Sequence, residues 1–245
     1  MKKIFFFLFV FAVASVSGLV SVLFIAPKLA GIAPFSKMVF FNEGRNQTVI
    51  VNKTEQVVVE RDTSFKKAYE KNVPALVAVK LVNNTGITQS VGAGFIVSAD
   101  GLILTRREWV SAGQKTTMIV VRDSEEMKAE MVRVSEESGL ALLKVNASGL
   151  PVVSFAKDVA GQLGAEAFLI GMKRGSTGQI PFVNTGVVKS VDGKMVETNI
   201  YEDFRIATGT PLMNIEGDVI GINSVNSSGY VFAIASDEIS RFLSM

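Results

Sequence analysis

Short β-rich segments follow one another along most of the chain, and no long amphipathic helix separates them. The segments are Ala75–Val82, Val91–Val97, Leu102–Thr105, Thr117–Val121, Ala129–Val134, Leu140–Val145, Ala165–Ile170, Asn184–Ser190, Met195–Thr198, Asp218–Val225 and Tyr230–Ile234. About eleven short strands at this spacing predict an all-β barrel or sandwich. Because no crossover helices lie between them, we expect antiparallel pairing. Two short helices are also predicted, Phe65–Lys71 capped by Ser64 and Asp237–Leu243.

The chain of 245 residues contains neither histidine nor cysteine. Their absence excludes disulfides, Cys-ligated zinc, iron–sulfur clusters and haem held by histidine. It also excludes a Cys nucleophile and an imidazole base, and with them every Ser-His-Asp or Cys-His mechanism. We therefore expect no cofactor and no metal. The net charge of +2 gives no whole-chain argument for nucleic acid as a partner.

The N-terminus carries a membrane signal. Lys2 and Lys3 precede an apolar run without charges, Ile4–Ala26, which Pro27 ends. As a helix this run would be about 34 Å long, enough to cross a bilayer. We expect residues 4–26 to be an uncleaved anchor that holds an exported domain on the extracytoplasmic side of the plasma (inner) membrane. The alternative is a cleaved secretory signal, which would leave the protein secreted.

Three regions are therefore expected: an anchor at residues 1–27, an extracytoplasmic stalk at 28–63 and a folded domain at 64–245. In the stalk, the β-branched triplets of residues 48–60 favour extended structure. This segment is interpreted as a strand or spacer lying on the domain, the alternative being an oligomer contact. Asn-x-Ser/Thr sequons, relevant only in a glycosylating pathway, occur at Asn46, Asn52, Asn83, Asn146 and Asn226.

Several sequence motifs resemble those of HtrA-type, trypsin-fold serine proteases, in the same order along residues 65–245. The strand Val91–Val97, with its Gly-Ala-Gly-Phe, leads through Ser98-Ala99-Asp100-Gly101 into Leu102–Thr105, and Asp100-Gly101 predicts a tight hairpin. The further matches are Leu140–Val145, Leu150-Pro151, Gly164 with Ala167–Gly171, Asn184–Ser190, Pro211–Asn223 and Val231–Ser236. The resemblance implies two six-stranded antiparallel Greek-key β-barrels with a cleft between them. It also leads us to expect no C-terminal peptide-sensing PDZ domain, because the chain ends at Met245.

The same resemblance shows which catalytic residues are replaced. Glu108 stands at the position of the general-base histidine, Gly139 at that of the orienting aspartate and Thr208 at that of the nucleophilic serine. The loop that supplies the oxyanion hole reads Ile206-Ala207-Thr208. A β-branched residue such as Ile206 resists the positive φ that a glycine permits.

These replacements predict a degenerate site. Glutamate side chains ordinarily titrate near pH 4, so a glutamate is a poor base toward a neutral alcohol. Thr208 keeps a hydroxyl, and the alternative is therefore a weak or unconventional endopeptidase. A Ser/Thr-Lys dyad built elsewhere stays open, with Lys173 as the candidate lysine near the cleft.

Two further features of the sequence each allow a structural and a functional interpretation. Trp109 is interpreted as core packing, the alternative being an exposed binding aromatic. Glu125-Glu126 and Glu136-Glu137 are interpreted as solvated loop charges, the alternative being a carboxylate pair or metal site.

The function expected from the resemblance is that of a pseudoprotease with a binding or regulatory role in envelope protein quality control. Its partner would be an extended peptide or unfolded protein segment bound by strand addition, or an active protease relative. An oligomer is compatible with this role. A structural envelope module working through its stalk is a further alternative.

Overall fold

The computed structural model describes residues 2–21, 24, 53–110, 116–175 and 178–245. The chain divides into two units, residues 1–56 and 57–245, which are described separately. The first unit contains helix α1, Lys2–Val20. Among the described residues, no helix combines the length and apolar character that crossing a membrane requires. The anchor therefore stays a prediction, and most of the stalk, with the sequons at Asn46 and Asn52, lies outside the described residues.

Helix α2, Lys53–Asn72, begins twelve residues earlier than the helix predicted from the sequence. The prediction of extended structure is wrong for residues 53–60, and Ser64 lies inside the helix instead of capping it. The valines do not preclude this helix, because each disfavours helical structure by only a few tenths of a kcal/mol. The helical prediction for Phe65–Lys71 is confirmed.

Thirteen strands occur in the described part of the chain: β1 Leu76–Asn83, β2 Thr88–Ser98, β3 Leu102–Arg106, β4 Thr116–Arg122, β5 Glu125–Val134, β6 Leu140–Val145, β7 Ser154–Phe155, β8 Glu166–Gly175, β9 Gly178–Val191, β10 Met195–Tyr201, β11 Pro211–Asn214, β12 Asp218–Val225 and β13 Tyr230–Ala235. Helices α3, Phe204–Ala207, and α4, Ser236–Ser244, follow β10 and β13. All eleven predicted strand segments are found, while β7 and β11 were not predicted as strands. Glu125 and Glu126 belong to β5, so their assignment to a loop is wrong.

Two closed barrels account for all but one of these strands. The first has the order β1-β2-β3-β6-β5-β4 and closes through β1 and β4. The second has the order β11-β8-β9-β10-β13-β12 and closes through β11 and β12, with β7 added in parallel beside β12. The chain passes from β3 to β4, which pairs with β1, so β3 pairs with β6 and the order departs from a simple meander in the Greek-key manner. The predicted pair of six-stranded antiparallel barrels is confirmed.

Helix α4 follows β13 of the second barrel yet also contacts the first. Its residues Ile239 and Phe242 are buried, and Leu243 is partly buried. Arg133 of β5 donates a hydrogen bond of 2.5 Å to the carbonyl of Phe242. The same guanidinium lies 5.7 Å from the centre of the Phe242 ring. A cation–π contact and a charge-assisted hydrogen bond therefore connect the barrels at this point.

The β2–β3 hairpin has the tight turn predicted at Asp100-Gly101. Gly101 has a φ of +102°, and its amide donates a hydrogen bond of 3.0 Å to the carbonyl of Ser98. A Cβ at Gly101 would lie 2.5 Å from the carbonyl oxygen of Val145. The glycine is therefore required both by backbone angle and by space.

Replacing Gly101 by alanine should cost much more stability than replacing Gly149. Gly149 also has a positive φ, +68°, but nothing lies within 4 Å of a Cβ built there. We expect Gly149→Ala to lower the free energy of unfolding by about 1 kcal/mol and Gly101→Ala by about 3 kcal/mol, measured by urea denaturation. Equal losses would contradict the close approach of the β2–β3 turn to Val145.

Candidate functional site

The position implied for the general base lies directly after β3, in a 3-10 turn formed by Arg107–Trp109. Its residue, Glu108, is held in an ion pair. Arg106 Nη2 donates to Glu108 Oε1 at 3.0 Å, and Arg106 Nη1 donates to the carbonyl of Ser138 at 2.9 Å. Arg106 is only 6% exposed. The Glu108 carboxylate thus serves as the counter-charge of a buried guanidinium.

Gly139 stands at the position implied for the orienting aspartate, and the guanidinium of Arg106 lies directly beside it. Gly139 has a φ of +65°, and a Cβ built on it would lie 2.8 Å from Arg106 Nη2 and 3.1 Å from Arg106 Cζ. The guanidinium fills the space that a side chain at residue 139 would enter. The structure therefore brings Glu108 and Gly139 together, as the resemblance implied, and the contact between them runs through Arg106.

The threonine at the nucleophile position is enclosed. Thr208 is fully buried, and its Oγ1 has no hydrogen-bond partner in the described part of the chain. Its carbonyl accepts a hydrogen bond of 2.9 Å from Trp109 Nε1. A nucleophile has to reach both a base and its substrate, and this hydroxyl reaches neither in the observed conformation.

The oxyanion-loop residues form helix α3 instead of an anion-binding loop. The amides of Ile206 and Ala207 donate to the carbonyl of Asp203 at 3.1 and 3.0 Å, and the amide of Thr208 donates to the carbonyl of Phe204 at 3.0 Å. An oxyanion hole needs backbone N–H groups directed at the reacting oxygen. The three amides are already used inside one helical turn. Asp203 caps this turn, its Oδ1 accepting from the amide of Arg205 at 2.7 Å.

Trp109 packs into the junction between the barrels, as the core interpretation predicted. The residue is 6% exposed, and its ring leaves Gly92 no room, since a Cβ there would lie 2.1 Å from the indole. The ring of Phe204 lies 5.4 Å from the indole, centre to centre. With the bond from Trp109 Nε1 to Thr208, the indole joins β2, the 3-10 turn and α3. Nothing in the sequence indicated that Phe204 would contribute.

The structure does not assemble the dyad that the sequence left open. Lys173 is exposed on β8, and Thr208 Oγ1 has no partner among the described residues. A different lysine, Lys71, does approach a hydroxyl, with Nζ 2.9 Å from Ser154 Oγ. Lys71 is also paired with Asp218 at 3.4 Å, and its side chain is 50% exposed. A lysine that acts as a base is normally desolvated, which the half-exposed Lys71 is not. Its contacts therefore serve to join α2 to β7 and β12.

A groove of about 450 Å³ lies beside the indole. It is lined by residues 88–91 of β2, by Trp109 and by Arg205 of α3. A smaller cavity of about 50 Å³ adjoins it, where Val91, Met172 and Ile206 meet. Among the side chains that the structure describes, no three acidic ones come together as a metal site. The groove lies next to the positions that the resemblance assigns to the catalytic residues.

Comparison with known proteins agrees with this architecture. A family model described as a trypsin-like peptidase domain matches residues 92–222. A probable periplasmic serine endoprotease DegP-like of Hahella chejuensis is 36% identical over 163 residues, which are 61% of this chain and 34% of that protein. The serine protease HTRA1 of Xenopus tropicalis is 32% identical over 199 residues, 71% of this chain and 41% of that protein. The chain thus spans about two fifths or less of these relatives.

Gly92 and Trp109 should be energetically coupled. We expect Gly92→Ala to lower the free energy of unfolding by about 1–3 kcal/mol, because the new methyl group has to displace the indole. In a Trp109→Leu background the same change should cost at least about 1 kcal/mol less. A double-mutant cycle from urea denaturation measures the coupling. Additivity within about 0.5 kcal/mol would show that the indole does not set the space at Gly92.

Proposed function

Since the chain belongs to the family of trypsin-like peptidase domains, we propose that it acts as a pseudoprotease. In this proposal it binds extended or unfolded polypeptide segments and does not hydrolyse them. The relatives are named as serine proteases or endoproteases, which act on polypeptides, and the proposal retains that class of ligand. Misfolded chains and flexible segments of an active protease relative both belong to this class.

The observation that carries the proposal is the engagement of the oxyanion-loop amides. The amides of Ile206 and Thr208 are hydrogen-bonded within α3. Removing one donor from an oxyanion hole costs roughly 10²–10³ in turnover in a well-studied protease. Loss of the triad costs about 10⁶ in another measurement on the same enzyme. Both losses act on the same reaction here, so turnover is expected to fall below detection.

Binding, by contrast, needs none of the altered groups. An extended peptide attaches to a strand through backbone N–H and C=O groups, while side-chain pockets supply specificity. The groove beside β2 offers both kinds of surface, with the exposed side chain of Val91 as its apolar component. The altered catalytic positions are therefore compatible with an intact capacity to bind.

The location of the protein is part of the proposal. The charge-free run Ile4–Ala26 and the word periplasmic in the names of several relatives support an exported domain at residues 64–245. A stalk at residues 28–63 would connect it to a single-pass anchor at residues 1–27. Alkaline extraction of membranes from expressing cells tests this: the full chain should stay in the pellet, and release into the supernatant would contradict anchoring. Release would agree with the cleaved-signal alternative.

The full chain should not cleave an unfolded casein-like substrate or a broad peptide library. Thr208→Ala should leave this result and peptide retention unchanged, because the Thr208 hydroxyl is buried. Thr185→Ala, an exposed change on β9, serves as the matched control. Cleavage by the parent and the control that is lost in Thr208→Ala would overturn the pseudoprotease proposal. It would establish the weak endopeptidase as the function.

A variant with the family's triad tests the cause of inactivity. Glu108→His, Gly139→Asp and Thr208→Ser together should still give no measurable turnover, because the α3 amides remain unavailable to an oxyanion. Circular dichroism and the urea midpoint establish whether the triple variant folds. Turnover by a folded triple variant would show that the residue replacements alone account for the loss, and that α3 is not a barrier.

A further inference from the structure

Strand β2 pairs on both sides over only part of its length. It pairs with β1 from Thr88 to Phe95, but its pairing with β3 begins at Gly94. Over residues 88–93, no strand in the described part of the chain covers the second side. A row of unpaired backbone groups of this kind is a template for another extended segment.

The side that stays open can be identified from Ala93. Its carbonyl accepts a hydrogen bond of 2.7 Å from Thr105 Oγ1 on β3, so the backbone groups of Ala93 face the β3 side. Residues two apart in a strand direct their N–H and C=O to the same side. Val91 therefore presents its amide and carbonyl toward the open side. The Val91 side chain is 45% exposed and lines both neighbouring cavities.

Among the described residues that line the groove along this edge, one is charged, and its charge is positive. These residues are 88–91, Trp109 and Arg205, and none of them is acidic. Arg205 is exposed, and none of the ion pairs of the described residues includes it. The nearby carboxylate of Asp203 already accepts the backbone amide of Arg205. The groove thus complements an occupant that is extended and negatively charged.

We propose that the open edge of β2 at Val91, together with Arg205, is a docking site for an extended peptide segment that carries an acidic side chain. The peptide would add as a strand beside Val91, place an apolar side chain against the exposed side chain of Val91 and pair an Asp or Glu carboxylate with Arg205. A planar guanidinium can bind a carboxylate through two parallel hydrogen bonds. This inference rests on the proposed peptide-binding function and specifies its ligand.

Fluorescence anisotropy with the full chain tests the proposal. The probes are short Val/Thr-rich peptides with a central Asp or a central Asn, each with an amidated or a free C-terminus. The Asp peptide should bind roughly fivefold more tightly than the Asn peptide, an advantage that falls as salt is raised. An advantage that appears only with the free C-terminus would overturn the assignment to an acidic side chain.

Variants of the arginine separate its role from general charge. Arg205→Gln should abolish the advantage and leave binding of the neutral peptide unchanged. Arg205→Lys should retain part of it, because a lysine supplies charge without the paired donors. Arg241→Gln on α4 removes the same charge from an exposed arginine outside the groove and should change nothing. An advantage that persists in Arg205→Gln overturns the assignment.

The edge itself is tested through backbone amides. Val91→Pro removes an N–H that faces the open side, where proline is tolerated, and should weaken the binding of all four peptides. Hydrogen exchange of the parent gives a second test that needs no variant: residues 88–93 should gain protection when the peptide is bound. Binding of the neutral peptide without charge discrimination would overturn this inference and leave the proposed function standing. Failure of every peptide to bind would overturn both.

Discussion

Closure of the two strand rings fixes where the segments of the candidate site lie. The pairing of β3 with β6 holds Arg106 opposite Leu140, directly beside Gly139. The pairing of β11 with both β8 and β12 fixes the chain that follows Thr208. Because a closed sheet has no strand that can shift register independently, these neighbours meet whatever side chains they carry. The positions of a catalytic site can thus persist while their chemistry changes.

Burial of the Arg106 guanidinium then determines much of the local chemistry. A charge removed from water has to be compensated by partners, and here Glu108 and the carbonyl of Ser138 supply the compensation. The guanidinium also needs the space above Gly139, which only the smallest residue leaves open. Arg106, Glu108 and Gly139 therefore form one interdependent unit. A change at Glu108 would remove the counter-charge of the guanidinium, and a side chain at Gly139 would remove its space.

The sequence was sufficient for the barrels but not for the loops between them. A short apolar run between turn residues located β6 at Leu140–Val145 to the residue, because a buried strand bounded by polar turns is specified locally. The site was predicted only as a set of substitutions at Glu108, Gly139 and Thr208. That Arg106 would link two of them, and that α3 would take up the oxyanion-loop amides, depends on tertiary neighbours.

Two errors in the secondary structure predicted from the sequence also arise from tertiary neighbours. The valine triplet before Phe65 suggested extended structure, but helix propensities differ too little among these residues for three valines to decide. The two-residue strand β7 has no periodic signal at all, and exists because Ser154 and Phe155 lie beside β12. Local patterns are informative where a segment provides its own periodicity, and fail where the partner determines the conformation.

The contact between Arg133 and Phe242 has a consequence for ligand affinity. It connects the first barrel to the helix that ends the second, through both the carbonyl and the ring of one residue. Separating the barrels at this point would break a charge-assisted hydrogen bond and a cation–π contact together. Two barrels that are held together in this way do not have to be ordered by an incoming ligand. A preorganised surface loses less conformational entropy on association, so even a few contacts at the junction of the barrels can support measurable binding.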